Sequence, residues 1–230
     1  MQSILECLYA CPLFAGIPGN DLGQVLHSLH ADRKTYSAFQ FLLHAGDPVE
    51  QIGIVLDGRV QVIQEDFSGN RTILTELAPG ELFAEAFACS SQCGAILPVS
   101  VFSVSESSVL WIDYRWLVQP DSKTRSWHPV LIRNMLAILA DKNQLLGRRI
   151  RHLSKRTTRD KLLSFLTEQA TTHKNLEFSI PFSRQELADY LCVERSAMSS
   201  VLSSLQKEGV LEVSRRKFKL KIIPYGENLS

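Results

Sequence analysis

The residues best equipped for chemistry are Arg195, Ser196, Ser199, Ser200 and Ser203, five polar side chains that share one stripe if residues 195–205 are helical. Arginine offers a planar fork of donors that matches guanine or phosphate, and a serine hydroxyl both donates and accepts. Serine is a poor helix former, and a merely solvated helix would carry Glu, Lys or Gln there. A bare, hydrogen-bonding stripe, with Ser204 beside it, suits a helix that lies in a nucleic-acid groove. Further on, Arg215, Arg216 and Lys217 form a compact basic cluster, a composition for phosphate contacts that give affinity and register without sequence information.

The elements needed to position these residues are legible around them. Ser183 followed three residues later by Glu186 is a capping box, so a helix starts at Arg184 and buries Leu187, Tyr190 and Leu191. Cys192 and Val193 break the helical spacing and supply a bend. A second helix resumes near Arg195 with Met198, Val201, Leu202 and Leu205 on its packing face, and Gly209 ends it. The segment VLEVSRRKFKLKII then alternates around the basic tip and predicts a strand, a tight turn and a strand. The sum is a winged helix-turn-helix. Arg195 is its strongest base-reading candidate, whereas Arg184, Lys207 and the tip suit the phosphate backbone. The competing explanation is a helical hairpin with no ligand.

Charge supports the first explanation. The chain as a whole carries 25 Lys and Arg against 24 Asp and Glu, but residues 1–139 hold 8 basic and 14 acidic residues, net −6, and residues 140–230 hold 17 and 10, net +7. The basic half contains the helix-turn-helix. At 230 residues with 45% hydrophobic content the chain suits two domains with real cores. Its first residues carry no basic segment before the apolar stretch, which argues against a secretory signal, and Arg133 interrupts the only long apolar run, VLIRNMLAILA, so no membrane span is expected. Five cysteines then imply reduced thiols and a cytoplasmic setting.

The acidic half repeats turn-forming glycines at 46, 58, 69 and 80, spaced by 12, 11 and 11 residues, with short apolar segments IGIVL, VQVIQE, TILTEL, PVSVFSVSES and VLWID between and after them. Six to eight short strands with such regular turns predict an antiparallel roll. Metal-binding enzymes of the cupin type share that architecture but need clustered His and Glu ligands, and this half has only His27, His30, His44 and His128 with no His-x-His. No catalytic or metal-ligating residue is therefore assigned. Between the halves, Ile132, Leu136, Leu139, Asn143, Leu146, Ile150 and Leu153 are separated by 4, 3, 4, 3, 4 and 3 residues, a heptad seam. With Ile132 at d, Asn143 falls at an a position, which favours a parallel in-register homodimer. Leu131, Met135, Ile138 and Leu145 lie beside the seam and are expected to bury against the roll. A single amphipathic helix covering its own domain is the alternative. A dimer would place two recognition helices about 34 Å apart on double-stranded DNA, so the operator should be an inverted repeat.

This order of parts resembles the catabolite activator and fumarate-nitrate regulator (Crp/Fnr) family of transcription regulators over nearly the whole chain. The motifs that carry the likeness are APGELFAEAF, where family members have a G-E-x-x-G-E loop, and SRQELADYLCVERSAMSSVL, where they have a T-R-Q-E-type helix-turn-helix. The resemblance implies an α+β chain with an N-terminal cyclic-nucleotide-binding-like β-roll (double-stranded β-helix or jelly roll) over 1–126, a dimerisation helix over 127–154 and a winged helix-turn-helix over 155–230. It implies that Arg184, Gln185 and Glu186 make phosphate and positioning contacts and that Arg195 reads the first base; Ser183 joins them as a candidate DNA contact, and RNA polymerase is a candidate further partner. Two departures are informative. Ser196 and Ser200 stand where the family often has Glu and Arg, and Ala84 replaces the second loop glycine. The cyclic-nucleotide members also place Arg-Ser where this chain has Pro98-Val99. A buried cyclic phosphate needs a cation and donors, and Pro98 supplies neither. The expected effector is therefore a small molecule other than a cyclic nucleotide, neutral or partly aromatic, lined by Gly80, Glu81, Phe83, Glu85, Pro98, Val99 and the facing part of the dimer helix. Glu81 and Glu85 have a structural alternative, hydrogen-bonding a turn. No resident cofactor is expected. An alternative sensing chemistry uses Cys7, Cys11, Cys89 and Cys93, two C-x3-C pairs that can hold an iron-sulfur cluster or a redox disulfide if the fold unites them, and haem on His44 is a more remote one. Either way, effector binding is expected to act through the dimer helix and a hinge over residues 154–158, where Thr157 or Thr158 can cap the next helix.

Overall fold

The computed structural model describes residues 2–65, 71–90, 96–118 and 127–222. Compactness divides the chain into two units, Met1–Ala140 and Asp141–Ser230. The first opens with helices α1 (Gln2–Ala10) and α2 (Gly19–Ser28). Strands β1 (Asp32–Tyr36), β2 (Phe41–Leu43), β3 (Gln51–Asp57), β4 (Val60–Glu65), β5 (Arg71–Leu77) and β6 (Leu82–Phe83) follow, then a short helix α3 (Glu85–Ala88). Strands β7 (Ser100–Ser103) and β8 (Ser107–Asp113), the turn-length helix α4 (Tyr114–Val118) and the long helix α5 (His128–Leu153) complete the series. The strands form two antiparallel four-stranded sheets, β1-β8-β3-β6 and β2-β7-β4-β5, which is the expected roll.

Sequence and packing agree strand by strand. IGIVL in β3 is an unbroken apolar run because both faces are covered: Ile52 to Leu56 are buried, and α1 and α3 pack on the strand. Gly53 admits the Phe83 ring, which occupies the space a Cβ would need and meets Trp111 edge-on at 5.3 Å. Gly58 turns the chain between β3 and β4 at φ +83°, and a side chain there would strike the Glu106 carbonyl. Gly69, third in the glycine series, lies outside the described residues.

Helix α5 belongs to the roll at its start. Leu131 and Met135 are buried in the roll core, Ile138 and Leu139 lean on it, and the Asn134 amide donates to the carbonyls of Leu13 and Ala15 at 2.9 and 2.8 Å. The sequence sets 127–154 apart as a segment of its own; compactness instead cuts the helix after Ala140, because its first turns supply core residues. Leu145 corrects another expectation. It is exposed rather than buried against the roll, since it lies two turns beyond Ile138 and past the end of the first unit.

The second unit contains α6 (Thr158–His173), β9 (Glu177–Ser179), α7 (Arg184–Tyr190), α8 (Arg195–Lys207), β10 (Leu211–Ser214) and β11 (Lys217–Leu220), with sheet order β10-β11-β9. Its separate core joins Leu162, Phe165 and Leu166 of α6 to Leu187, Met198, Leu202, Leu205 and Phe218. A four-residue connection, 154–157, precedes α6, and the Thr157 hydroxyl caps that helix by accepting the Asp160 N–H at 3.0 Å. Strand β9 is an addition to the sequence reading, a third strand that pairs with β11.

Candidate nucleic-acid interface

The two-helix unit is built as its residues require. The Ser183 hydroxyl accepts the Glu186 N–H at 3.3 Å and the Glu186 carboxylate accepts the Ser183 N–H at 2.5 Å, completing the capping box. These bonds hold the Glu186 carboxyl below the usual carboxylate range. At the bend Cys192 is exposed with φ +50°, and the Val193 N–H donates back to the Ala188 carbonyl at 3.0 Å. The Lys161 ammonium donates to the Leu191 carbonyl at 3.3 Å, closing the end of α7 from α6. The Arg159 guanidinium grips Glu208, just past α8, at 2.8 and 2.5 Å. No local pattern announces these clamps, because their partners are 30 and 49 residues away.

The serine stripe is exposed along α8, and its hydroxyls are already engaged. Ser199 donates to the Arg195 carbonyl at 2.8 Å, Ser200 to that of Ser196 at 3.1 Å and Ser203 to that of Ser199 at 3.0 Å. A hydroxyl has one proton, so the free capacity of these three side chains is as acceptors. Arg195 is exposed, and its side chain makes no hydrogen bond or ion pair among the described residues. Ser214 pairs with Lys217 across the wing, leaving Arg215 and Arg216 as a two-residue tip with Arg215 at φ +54°, and all three basic residues are exposed. Two expected backbone contacts are partly committed within the protein. Arg184 rests 5.1 Å over the Phe218 ring, and the Gln185 amide donates to Asp189 at 2.8 Å.

On α5 the expected seam divides by burial. Leu136, Asn143, Leu146 and Ile150 are exposed, whereas Ile132, Leu139 and Leu153 are half-buried. An exposed row of large aliphatic side chains at heptad spacing is an unsatisfied helix face.

The residues selected from the sequence for an effector take different positions. Phe83 is spent on the core, wedged against Gly53 and Trp111, which corrects its assignment to a ligand lining. The Glu81 carboxylate accepts the Ala78 N–H at 2.7 Å, so it serves the turn, the structural alternative for this residue. The Gly80 N–H donates to the Val55 carbonyl at 2.8 Å, Pro98 is exposed, Val99 is half-buried against the roll core, and Glu85 is buried at the start of α3. Ala84 has φ +65°, a left-handed backbone that explains why a glycine is the natural residue at this point of the loop. Burial pushes the Cys11 and Cys89 thiols up to about 11, and that of Cys7 upward too, the opposite of an activated thiolate. Cys93 lies outside the described residues, and no cluster of three or more potential metal ligands occurs among the described ones.

Two family models cover these two regions. Residues 33–119 match the cyclic nucleotide-binding domain, and residues 160–223 match the Crp-like helix-turn-helix domain. The chain belongs to the Crp/Fnr family of transcription regulators. It is 24% identical over 193 residues to the cAMP-activated global transcriptional regulator Vfr of Pseudomonas aeruginosa, covering 80% of this chain and 86% of that one. It is 23% identical over 183 residues to the transcriptional activator protein anr of the same organism, covering 77% and 72%. Its fold is similar to that of the catabolite activator protein of Thermus thermophilus, with TM-score 0.55 and 22% identity over 92% of this chain and 94% of that one. A CooA mutant from Carboxydothermus hydrogenoformans gives TM-score 0.59 at 22% identity over 87% of each chain. As a Crp/Fnr regulator the chain is a DNA-binding protein with a cyclic nucleotide-binding-type domain. No helix among the described residues is long and apolar enough to cross a membrane.

Proposed function

We propose that this regulator acts as a homodimer, joined along α5, that binds an inverted-repeat operator under control of a small effector held by the roll. The observation that carries the proposal is the exposed Leu136, Leu146 and Ile150 row in a DNA-binding chain. Such a row is unstable in water and is satisfied by a copy of itself in parallel register. Two-fold symmetry then duplicates α8, and each copy presents Arg195 as a bidentate donor to guanine, the serine oxygens as acceptors from the amino groups of adenine or cytosine, and the Arg215–Lys217 tip to phosphates. Communication from roll to operator runs along α5 and the 154–157 connection, which is short and polar.

The effector in this reading is not a cyclic nucleotide, although the relative Vfr is described as cAMP-activated. The support is chemical. Neither Pro98 nor Val99 offers a cation to a buried phosphate, and the N–H groups of Gly80 and Glu81 are occupied by the carbonyls of Val55 and Ala78. Selection of duplexes from a random library by the purified chain, followed by calorimetric titration with cAMP and cGMP, tests both halves. The expected outcome is an enriched inverted repeat and no binding of either nucleotide at micromolar concentration. Enrichment of single half-sites would remove the dimer, and micromolar cAMP binding would remove the effector assignment.

A further inference from the structure

A cavity of about 310 Å³ opens in the roll unit between Lys34 and Tyr36 of β1, Leu42 and Leu43 of β2, the segment 48–51, and Trp111 of β8. It shares no residue with the loop of Gly80 and Glu85 or with Pro98 and Val99. Its floor is apolar and aromatic: Val49 and Trp111 are buried, and Leu42, Leu43 and Tyr36 are half-buried. Tyr36 is held in place because its hydroxyl oxygen accepts the Trp111 indole N–H at 2.9 Å, which leaves the phenolic proton free to be donated. The rim carries one charge of each sign, Lys34 and Glu50.

Both rim charges are loosely held. The Lys34 ammonium has Asp32 at 3.9 Å, and the Glu50 carboxylate has Arg115 at 3.8 Å. Arg115 is committed elsewhere, to Asp113 at 2.6 Å. Pairs so long and so exposed contribute little, and each rim residue retains capacity for a second ion. Small-molecule sites are concave, mostly apolar, furnished with a few convergent polar groups, and about 300–1,000 Å³ in volume. This cavity sits at the small end of that range, room for about one ring or one branched chain.

We propose that this cavity is a second ligand site, and that it takes a small apolar zwitterion of the amino-acid type. The carboxylate of such a ligand meets Lys34 and the Tyr36 hydroxyl, its ammonium meets Glu50, and its side chain covers Leu42, Leu43, Val49 and Trp111. A simple anion leaves Glu50 opposing it, and a simple cation leaves Lys34 opposing it. The zwitterion satisfies both.

The test is calorimetric titration of the full chain with three probes of matched ring size: phenylalanine, benzoate and phenethylamine. Phenylalanine is expected to bind once per chain, and each singly charged probe at least about tenfold more weakly. Lys34→Gln and Glu50→Gln, both at exposed side chains, should each weaken phenylalanine about tenfold, while Glu50→Gln leaves benzoate binding equal or improved. Leu43→Trp fills the cavity and should abolish binding, with a thermal melt to establish that the variant is folded. Absence of phenylalanine binding to the unaltered chain at millimolar concentration would overturn the proposal. So would equal binding of the three probes, or indifference of phenylalanine to both charge substitutions.

Discussion

Leu145 and Leu146 are neighbours on one helix, 61% and 59% exposed, and a monomeric view of the chain treats them alike. The dimer seam does not. Leu146 is a d residue, whereas Leu145 is a c residue and faces away from the partner. Fully burying a leucine side chain contributes about 1.5–3 kcal/mol, so the exposed 59% of Leu146 corresponds to about 1–2 kcal/mol per protomer. Symmetry doubles the contribution, and truncation to alanine spares the Cβ, which leaves about 2–3 kcal/mol for Leu146→Ala, or ~30- to 150-fold in the dimer dissociation constant. Leu145→Ala should change that constant less than about threefold. Sedimentation equilibrium over a concentration series reads both values directly. If the two substitutions weaken association equally, or if neither does, the seam has been assigned to the wrong face of α5 and the symmetric operator loses its basis.

Three further outcomes are expected. Arg195→Ala should relax discrimination at one base pair per half-site by about 1–3 kcal/mol in competition gel shifts; uniform weakening across all operator variants would assign Arg195 to a phosphate instead. Ala84→Gly relieves a left-handed alanine and should stabilise the roll by about 1 kcal/mol in denaturant unfolding, and a loss of stability would mean that the methyl group packs usefully. His152, buried with its ring nitrogens 3.0 Å from the Ser164 hydroxyl and 3.4 Å from Glu168, is pushed below the ordinary histidine value of 6.5 by desolvation, against the pull of Glu168 and with help from Arg151 and Lys155. The native state therefore binds this proton more weakly than the unfolded chain does. The resulting stability is full above pH 6.5 and is lost as pH falls from there towards the depressed native value. Melting temperatures of His152→Gln should accordingly show a shallower fall between neutral and mildly acid pH than those of the unaltered chain, and parallel curves would refute the assignment.

What could be read in advance was what repeats. The capping box at Ser183, complete in four letters, placed the start of α7 at Arg184, helical spacing placed that of α8 near Arg195, and IGIVL between turn-forming glycines marked a strand. Strands β1 and β9, DRKTY and EFS, carried no such signal. The first is a polar edge with four exposed residues, and the second has three residues and one buried side chain, so neither alternates long enough to register. Side-chain destinations were less accessible still. Phe83 beside Gly80 and Glu81 reads as part of a loop, yet its ring fills the space above Gly53, thirty residues earlier. Arg184 reads as a phosphate contact, yet Phe218, fixed only when the wing folds back, gives its guanidinium a surface within the protein.

The serine stripe shows why the distinction matters for function. Counting side chains credits α8 with hydroxyls that donate and accept alike, and on that count the helix is nearly indifferent to base identity. Folding consumes the protons of Ser199, Ser200 and Ser203 on carbonyls one turn back, so the same letters become a row of acceptors. To donate to a base, each hydroxyl must first give up that internal bond, an exchange of one hydrogen bond for another with little net gain. To accept, it gives up nothing. The asymmetry predicts that bases next to the guanine read by Arg195 are favoured when they present an amino group in the major groove, adenine or cytosine on the contacted strand. Substituting purine for adenine at such a position removes only the amino group and should weaken the complex, whereas an operator indifferent to that replacement would show that the serines serve to let the helix backbone approach the groove and take no part in reading it.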